Sequence, residues 1–155
     1  MKTNIVVLGV LVFTLSQCQQ ASKTDLTKSE MIKIVKALDN QFSVGVQKKD
    51  SVFLTNIYSD SAQYVQPNRT ILFGKAEIEK DWSGFLKLKE EPIDLVLNIH
   101  HVDGNREIIY ETGDGYTLLA DSTRWNFNYV NVWRLQKDGV YKLEIDTYTP
   151  LDIVE

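Results

Sequence analysis

Trp125, Phe127, Tyr129, Asn131 and Trp133 occupy alternate positions in one stretch of chain. Alternate side chains of a strand share a face. These five would form an aromatic wall carrying one amide, a surface suited to a flat or apolar ligand. Core packing beneath helices is the simpler role for Trp133 and Phe127. Asn131 differs, because an amide on an apolar face needs a hydrogen-bond partner, from the ligand or from the backbone. Trp82, Trp125, Tyr129 and Asn131 are the candidate ligand-binding residues. His101 is a candidate acid or base, because imidazole titrates near neutral pH and alternation puts it with Leu97 and Ile99 on the apolar side. A buried, hydrogen-bonded histidine is the alternative. His100 then points to the opposite face, so the pair cannot hold one metal ion. Asp146 and Tyr64 are the other catalytic candidates, and a structural hydrogen bond would serve Asp146 equally well. No spacing of His, Cys or carboxylates suggests a metal site, and no phosphate loop, nucleophile elbow or dinucleotide fingerprint calls for a cofactor.

Cys18, the single cysteine, excludes an internal disulfide framework and stands directly after an apolar export-like core. Lys2 precedes an uncharged run from Ile5 to Leu15, too short for a membrane span, which needs about 20 residues, and suited to a signal peptide. The sequence Leu15-Ser16-Gln17-Cys18 resembles a bacterial lipobox, although Gln17 stands where a small residue is usual. The expected organisation is a signal peptide over 1–17, a lipidated polar tether over 18–28 and one domain over 29–155. Multiple acyl chains on Cys18 would hold the protein on a membrane of the bacterial cell envelope, facing the periplasm.

The 155 residues suit one domain with a real core. Hydrophobic residues at 43% and charged residues at 25% are ordinary for a globular chain. A net charge of −4 without a basic patch argues against nucleic acid as a partner.

The elements that must position these side chains follow from periodicity. Met31, Ile34, Val35, Leu38, Phe42 and Val46 recur at spacings of three and four, predicting a helix from about Thr27. Gly45 within it permits close packing. A short helix fits Ser51 to Tyr58, an extended piece Ser59 to Gln66, and a third helix Lys75 to Leu88. After Pro92 the period becomes two. Strands are expected over 93–102, 107–119, 125–135 and 140–148, with a bulge at Gly113-Asp114-Gly115. Helices followed by an antiparallel meander indicate an α+β fold: three helices packed on a curved antiparallel sheet, forming a cone-shaped barrel.

Asp50 to Trp82 resembles the "D…L..lY..dA.y..P......G...I...w" run of the nuclear-transport-factor-two-like superfamily, and Tyr129 to Asp146 is similar to the C-terminal "y..vW....G.wki..D" of its SnoaL-like members. The resemblance covers about 27–148. Such a fold hosts enzymes, binders and dimerisation modules. The resemblance to ketosteroid isomerase-like members implies that their tyrosine, aspartate base and strand acid correspond to Phe42, Gln66 and Asn131. A phenyl ring replaces the phenol, and an amide that cannot take up a proton near neutral pH replaces the base. Asn131 could still donate to an oxyanion, but that isomerase mechanism is not expected. The family often carries an acid at the position of Asp146.

Three functions are therefore weighed. The first is a membrane-anchored lipoprotein binding a small, largely apolar molecule in its cone. The second is a polyketide cyclase- or dehydratase-like enzyme using His101, Tyr64, Asp146 and Asn131, which requires a titratable group in the cavity. The third is a non-enzymatic homodimer formed through the open sheet face around Val130 and Val132, with Asn126, Asn128 and Arg134.

Overall fold

A computed structural model of the chain describes residues 25–67 and 69–151. The apolar run, the lipobox and Cys18 lie outside the described residues. Thr27 begins the first helix, α1 (Lys28–Gln47), with a reciprocal cap: its hydroxyl accepts from the Glu30 amide at 3.3 Å, and the Glu30 carboxylate accepts from the Thr27 amide at 2.8 Å. The folded unit begins upstream of residue 29. Asp25 accepts from the Arg106 amide at 2.7 Å, and Leu26 packs against the core.

A Cβ on Gly45 would strike the Leu54 side chain, so this glycine brings α1 onto α2 (Ser51–Thr55). That helix ends earlier than periodicity suggests. Tyr58 instead opens β1 (Tyr58–Val65) and is fully buried. A two-residue strand, β2 (Leu72–Phe73), was not expected and precedes α3 (Gly74–Phe85). Four long strands follow: β3 (Pro92–Gly104), β4 (Ile108–Leu119), β5 (Arg124–Leu135) and β6 (Tyr141–Pro150).

The sheet order is β2-β1-β6-β5-β4-β3. The meander β3 to β6 is antiparallel as expected, but β1 joins β6 in parallel, so the curved sheet is mixed and does not close into a barrel. The helices cover its inner face, with α1 against β3 and α3 against β1. No described helix is long and apolar enough to cross a membrane.

The bulges lie elsewhere than expected. β4 pairs with β5 without interruption, so Gly113-Asp114-Gly115 is not a bulge in that ladder. These glycines make room instead: a Cβ on Gly113 would meet the Asn98 carbonyl and the Tyr129 ring, and one on Gly115 the Val96 carbonyl and the Phe127 ring. The register shift lies on the facing strand, where Ile99 pairs with Gly113 and His101 with Thr112, leaving His100 as the extra residue. A second shift leaves Glu144 extra on β6, because Val132 pairs with Ile145 and Trp133 with Leu143. One inserted residue reverses which side chains beyond it face inward.

Candidate functional site

Strand register draws four inward polar side chains into one row across the sheet. Glu111 on β4 lies opposite Asn131 on β5, Asn131 opposite Asp146 on β6, and Asp146 beside Tyr64 on β1. All four are buried. The Glu144 bulge is what brings Asp146 into the row. Without it, uninterrupted alternation from Leu143 would turn Ile145 inward and Asp146 outward.

Glu111 is completely buried, and its carboxylate gathers donors from β5. The Trp133 indole donates at 2.8 Å, the Asn131 amide nitrogen at 3.2 Å and the Tyr129 hydroxyl at 3.2 Å. Asp39 of α1 lies against it, only 8% exposed, and among the described residues no donor faces either of its oxygens. Two carboxylates cannot bond to each other unless one keeps a proton. Burial first, and then the Glu111 charge, push Asp39 up to about 9, so at neutral pH Asp39 holds its proton beside the Glu111 carboxyl. Burial also raises the Glu111 carboxyl, while the hydrogen bonds from Trp133, Asn131 and Tyr129 oppose the rise. The network also orients Asn131: the amide nitrogen is committed to Glu111, while the amide oxygen is buried without a partner. The amide expected to donate to an oxyanion already spends its donor on Glu111.

A second cluster surrounds Asp146. Tyr58 donates to its carboxylate at 2.5 Å, and the Trp82 indole donates to the Tyr58 oxygen at 3.2 Å. Burial raises the Asp146 carboxyl, the Tyr58 hydrogen bond opposes the rise and the Glu111 charge adds to it, leaving a value of about 7. Burial also pushes the Tyr58 and Tyr64 phenols well above their ordinary range, so both stay protonated.

The row borders a cavity of about 890 Å³ between the sheet and α3. Phe42, Tyr64, Trp82, Tyr129, Asn131 and Asp146 form its buried floor. Phe127, Leu97, Phe85 and Tyr148 extend the apolar wall. At the rim, Asp81 accepts from the Gln66 amide at 2.5 Å and pairs with Arg69 at 3.5 Å. Trp125, 36% exposed, stands at the mouth.

The structure brings Tyr64, Trp82, Trp125, Tyr129, Asn131 and Asp146 around this one cavity, together with Phe42 and Gln66. Trp133 and Phe42 pack in the core, their ring centres 6.4 Å apart. His101 is the exception. The bulge at His100 turns it outward, where its side chain is 47% exposed, 3.9 Å from Asp103 and beside the Tyr110 ring. His100 is also exposed and pairs with Asp114 at 2.8 Å. Neither histidine lines the cavity. Sequence reasoning missed Glu111, Asp39 and Tyr58. Glu111 shares the inward parity of Ile109, and Asp39 lies four residues after Val35 on the helical stripe, so a carboxylate on each apolar face was the available signal. Among the described residues, no group of three or more His, Cys, Asp or Glu is placed to hold a metal ion.

No protein-family model matches the sequence, and no curated protein matches it. Solved structures do. A nuclear-transport-factor-two-like protein with a cystatin-like fold from Novosphingobium aromaticivorans is 12% identical, with a TM-score of 0.69 over 81% of this chain and 84% of that one. A candidate dehydratase of the same family from Streptomyces avermitilis is 16% identical, with a TM-score of 0.64 over 81% and 99%. A domain of unknown function with a cystatin-like fold from Nostoc punctiforme is 14% identical, with a TM-score of 0.70 over 83% and 82%. Helices laid across a curved, unclosed sheet with a cavity between them, together with these neighbours, give this chain the nuclear-transport-factor-two-like, cystatin-like α+β fold.

Proposed function

We propose that this protein is a lipoprotein of the bacterial cell envelope whose cone binds a small, largely apolar molecule. The observation that carries the binding reading is the cavity itself: about 890 Å³ left open by aromatic and aliphatic side chains, within the size range of small-molecule sites. Native mass spectrometry of the purified full chain mixed with a metabolite extract tests it. One compound class should be retained, and Tyr129→Ala should weaken its retention. Failure to enrich any compound refutes the reading. Lys2, the apolar run and Cys18 support anchoring. Cys18→Ala should leave the membrane fraction or stay uncleaved, without lowering the melting temperature of the domain. Cleaved Cys18→Ala that remains on the membrane refutes the anchor.

Asp146 favours a second reading, an acid–base enzyme of the dehydratase type. A buried carboxyl at about 7 on a cavity wall is suited to exchanging a proton near neutral pH. The Streptomyces avermitilis neighbour is described as a candidate dehydratase. Under this reading, turnover of a retained hydroxylated compound would be lost in Asp146→Asn while its binding persists.

A further inference from the structure

We propose that the cavity selects molecules with a ring-sized apolar body and one protonated amine, the ammonium seated between the Asp146 carboxylate and the Asn131 amide oxygen. This rests on the binding reading above and names the ligand class.

The argument is one of unmatched acceptors. Asp146 and Asn131 are cross-strand neighbours facing the same floor. The Asn131 oxygen is buried without a partner, and its amide nitrogen is held by Glu111. Several protein donors nearby are already used: Tyr58 donates to Asp146, Trp82 to Tyr58, and Trp133, Tyr129 and the Asn131 amide nitrogen to Glu111. Among the described residues lining the cavity, the cations are Arg69 and Lys80. Both are exposed at the rim, and Arg69 is turned to Asp81. Among the described residues, Asp146 forms no ion pair with a protein cation, and its partner is a phenol. A buried carboxylate without a counter-cation is costly, and a ligand ammonium would supply both the charge and the hydrogen bonds. Phe42, Trp82, Tyr64 and Tyr129 line the same cavity, and aromatic rings attract a cation where it meets their faces. A carboxylate ligand would meet Asp146 and, at the rim, Glu77 and Asp81.

The test compares three probes with one indole body: tryptamine, tryptophol and indole-3-acetate, titrated into the full chain by calorimetry. Tryptamine should bind at least roughly tenfold more tightly than tryptophol, and indole-3-acetate should bind weakest. Asp146→Asn should erase the amine advantage, bringing the affinities of tryptamine and tryptophol to within about threefold of each other. Wild-type protein gives a second readout that does not depend on that variant folding. Tyr58 from β1 and Glu111 from β4 act directly on Asp146; Tyr64 from β1, Tyr129 from β5, Tyr148 on its own strand and Asp81 from α3 are the other titratable groups on this side of the cavity. Burial, opposed by the Tyr58 hydrogen bond, puts the Asp146 carboxyl at about 7. Moving from pH 8 to 5.5 should therefore weaken tryptamine about thirtyfold by linkage and leave tryptophol nearly unchanged. Tryptophol binding as tightly as tryptamine, an amine preference that survives Asp146→Asn, or pH-independent tryptamine binding overturns the amine assignment and leaves the cavity reading standing. Absence of binding by all three probes overturns both.

Discussion

Asp39→Asn should make the protein more stable at neutral pH. Asp39 is buried against Glu111 and holds its proton up to about 9, whereas the carboxyl of the unfolded chain has its ordinary value of 3.8. Between these two values the folded chain binds a proton that the unfolded chain has released. Stability therefore falls as pH rises through that window, and the penalty is absent below the lower value. At pH 7 the interval above 3.8, at roughly 1.4 kcal/mol per pH unit, corresponds to about 4 kcal/mol. Asparagine has nearly the shape of the protonated acid, keeps a donor beside Glu111 and carries no such cost. Relaxation of the native site reduces the gain, so an increase of about 1–4 kcal/mol is expected at pH 7. It should shrink towards zero near pH 4. Urea denaturation of wild type and variant at pH 7 and pH 4 measures both ends. A variant that is destabilised at pH 7, or a gain of equal size at the two pH values, would refute the account of a protonated Asp39 beside Glu111.

Trp133→Phe removes the 2.8 Å donor to Glu111 and leaves a void at a fully buried position; a loss of about 2–4 kcal/mol in chemical denaturation is expected. Gly113→Ala places a methyl group against the Asn98 carbonyl and the Tyr129 ring, and should cost more than about 2 kcal/mol in the same assay. Tyr58→Phe removes the hydrogen bond that holds the Asp146 value down, so Asp146 should titrate above about 7, as followed by carboxyl-carbon NMR. The same variant should lose about 1–2 kcal/mol of stability, because one buried hydrogen bond is gone.

Much of the fold was legible because helix and strand periods are local. The stripe from Met31 to Val46 located α1, and alternation from Ile93 to Leu135 located three long strands. The same alternation placed Tyr129, Asn131 and Trp133 on one inward face. Partnership was not legible. Asp39 and Glu111 lie far apart in sequence, and only the packing of α1 on the sheet makes them one buried pair. The short β2 and the parallel placement of β1 beside β6 likewise depend on which edge was free to accept a strand.

What the sequence by itself determined was the set of apolar and aromatic faces and the order of the helices and long strands. These depend on side chains a few residues apart. What only the tertiary structure decided was which polar groups reach the cavity. An extra residue at His100 turned His101 out to solvent, and another at Glu144 turned Asp146 inward. Both follow from register with a neighbouring strand, and a slip of one residue reverses every side chain beyond it.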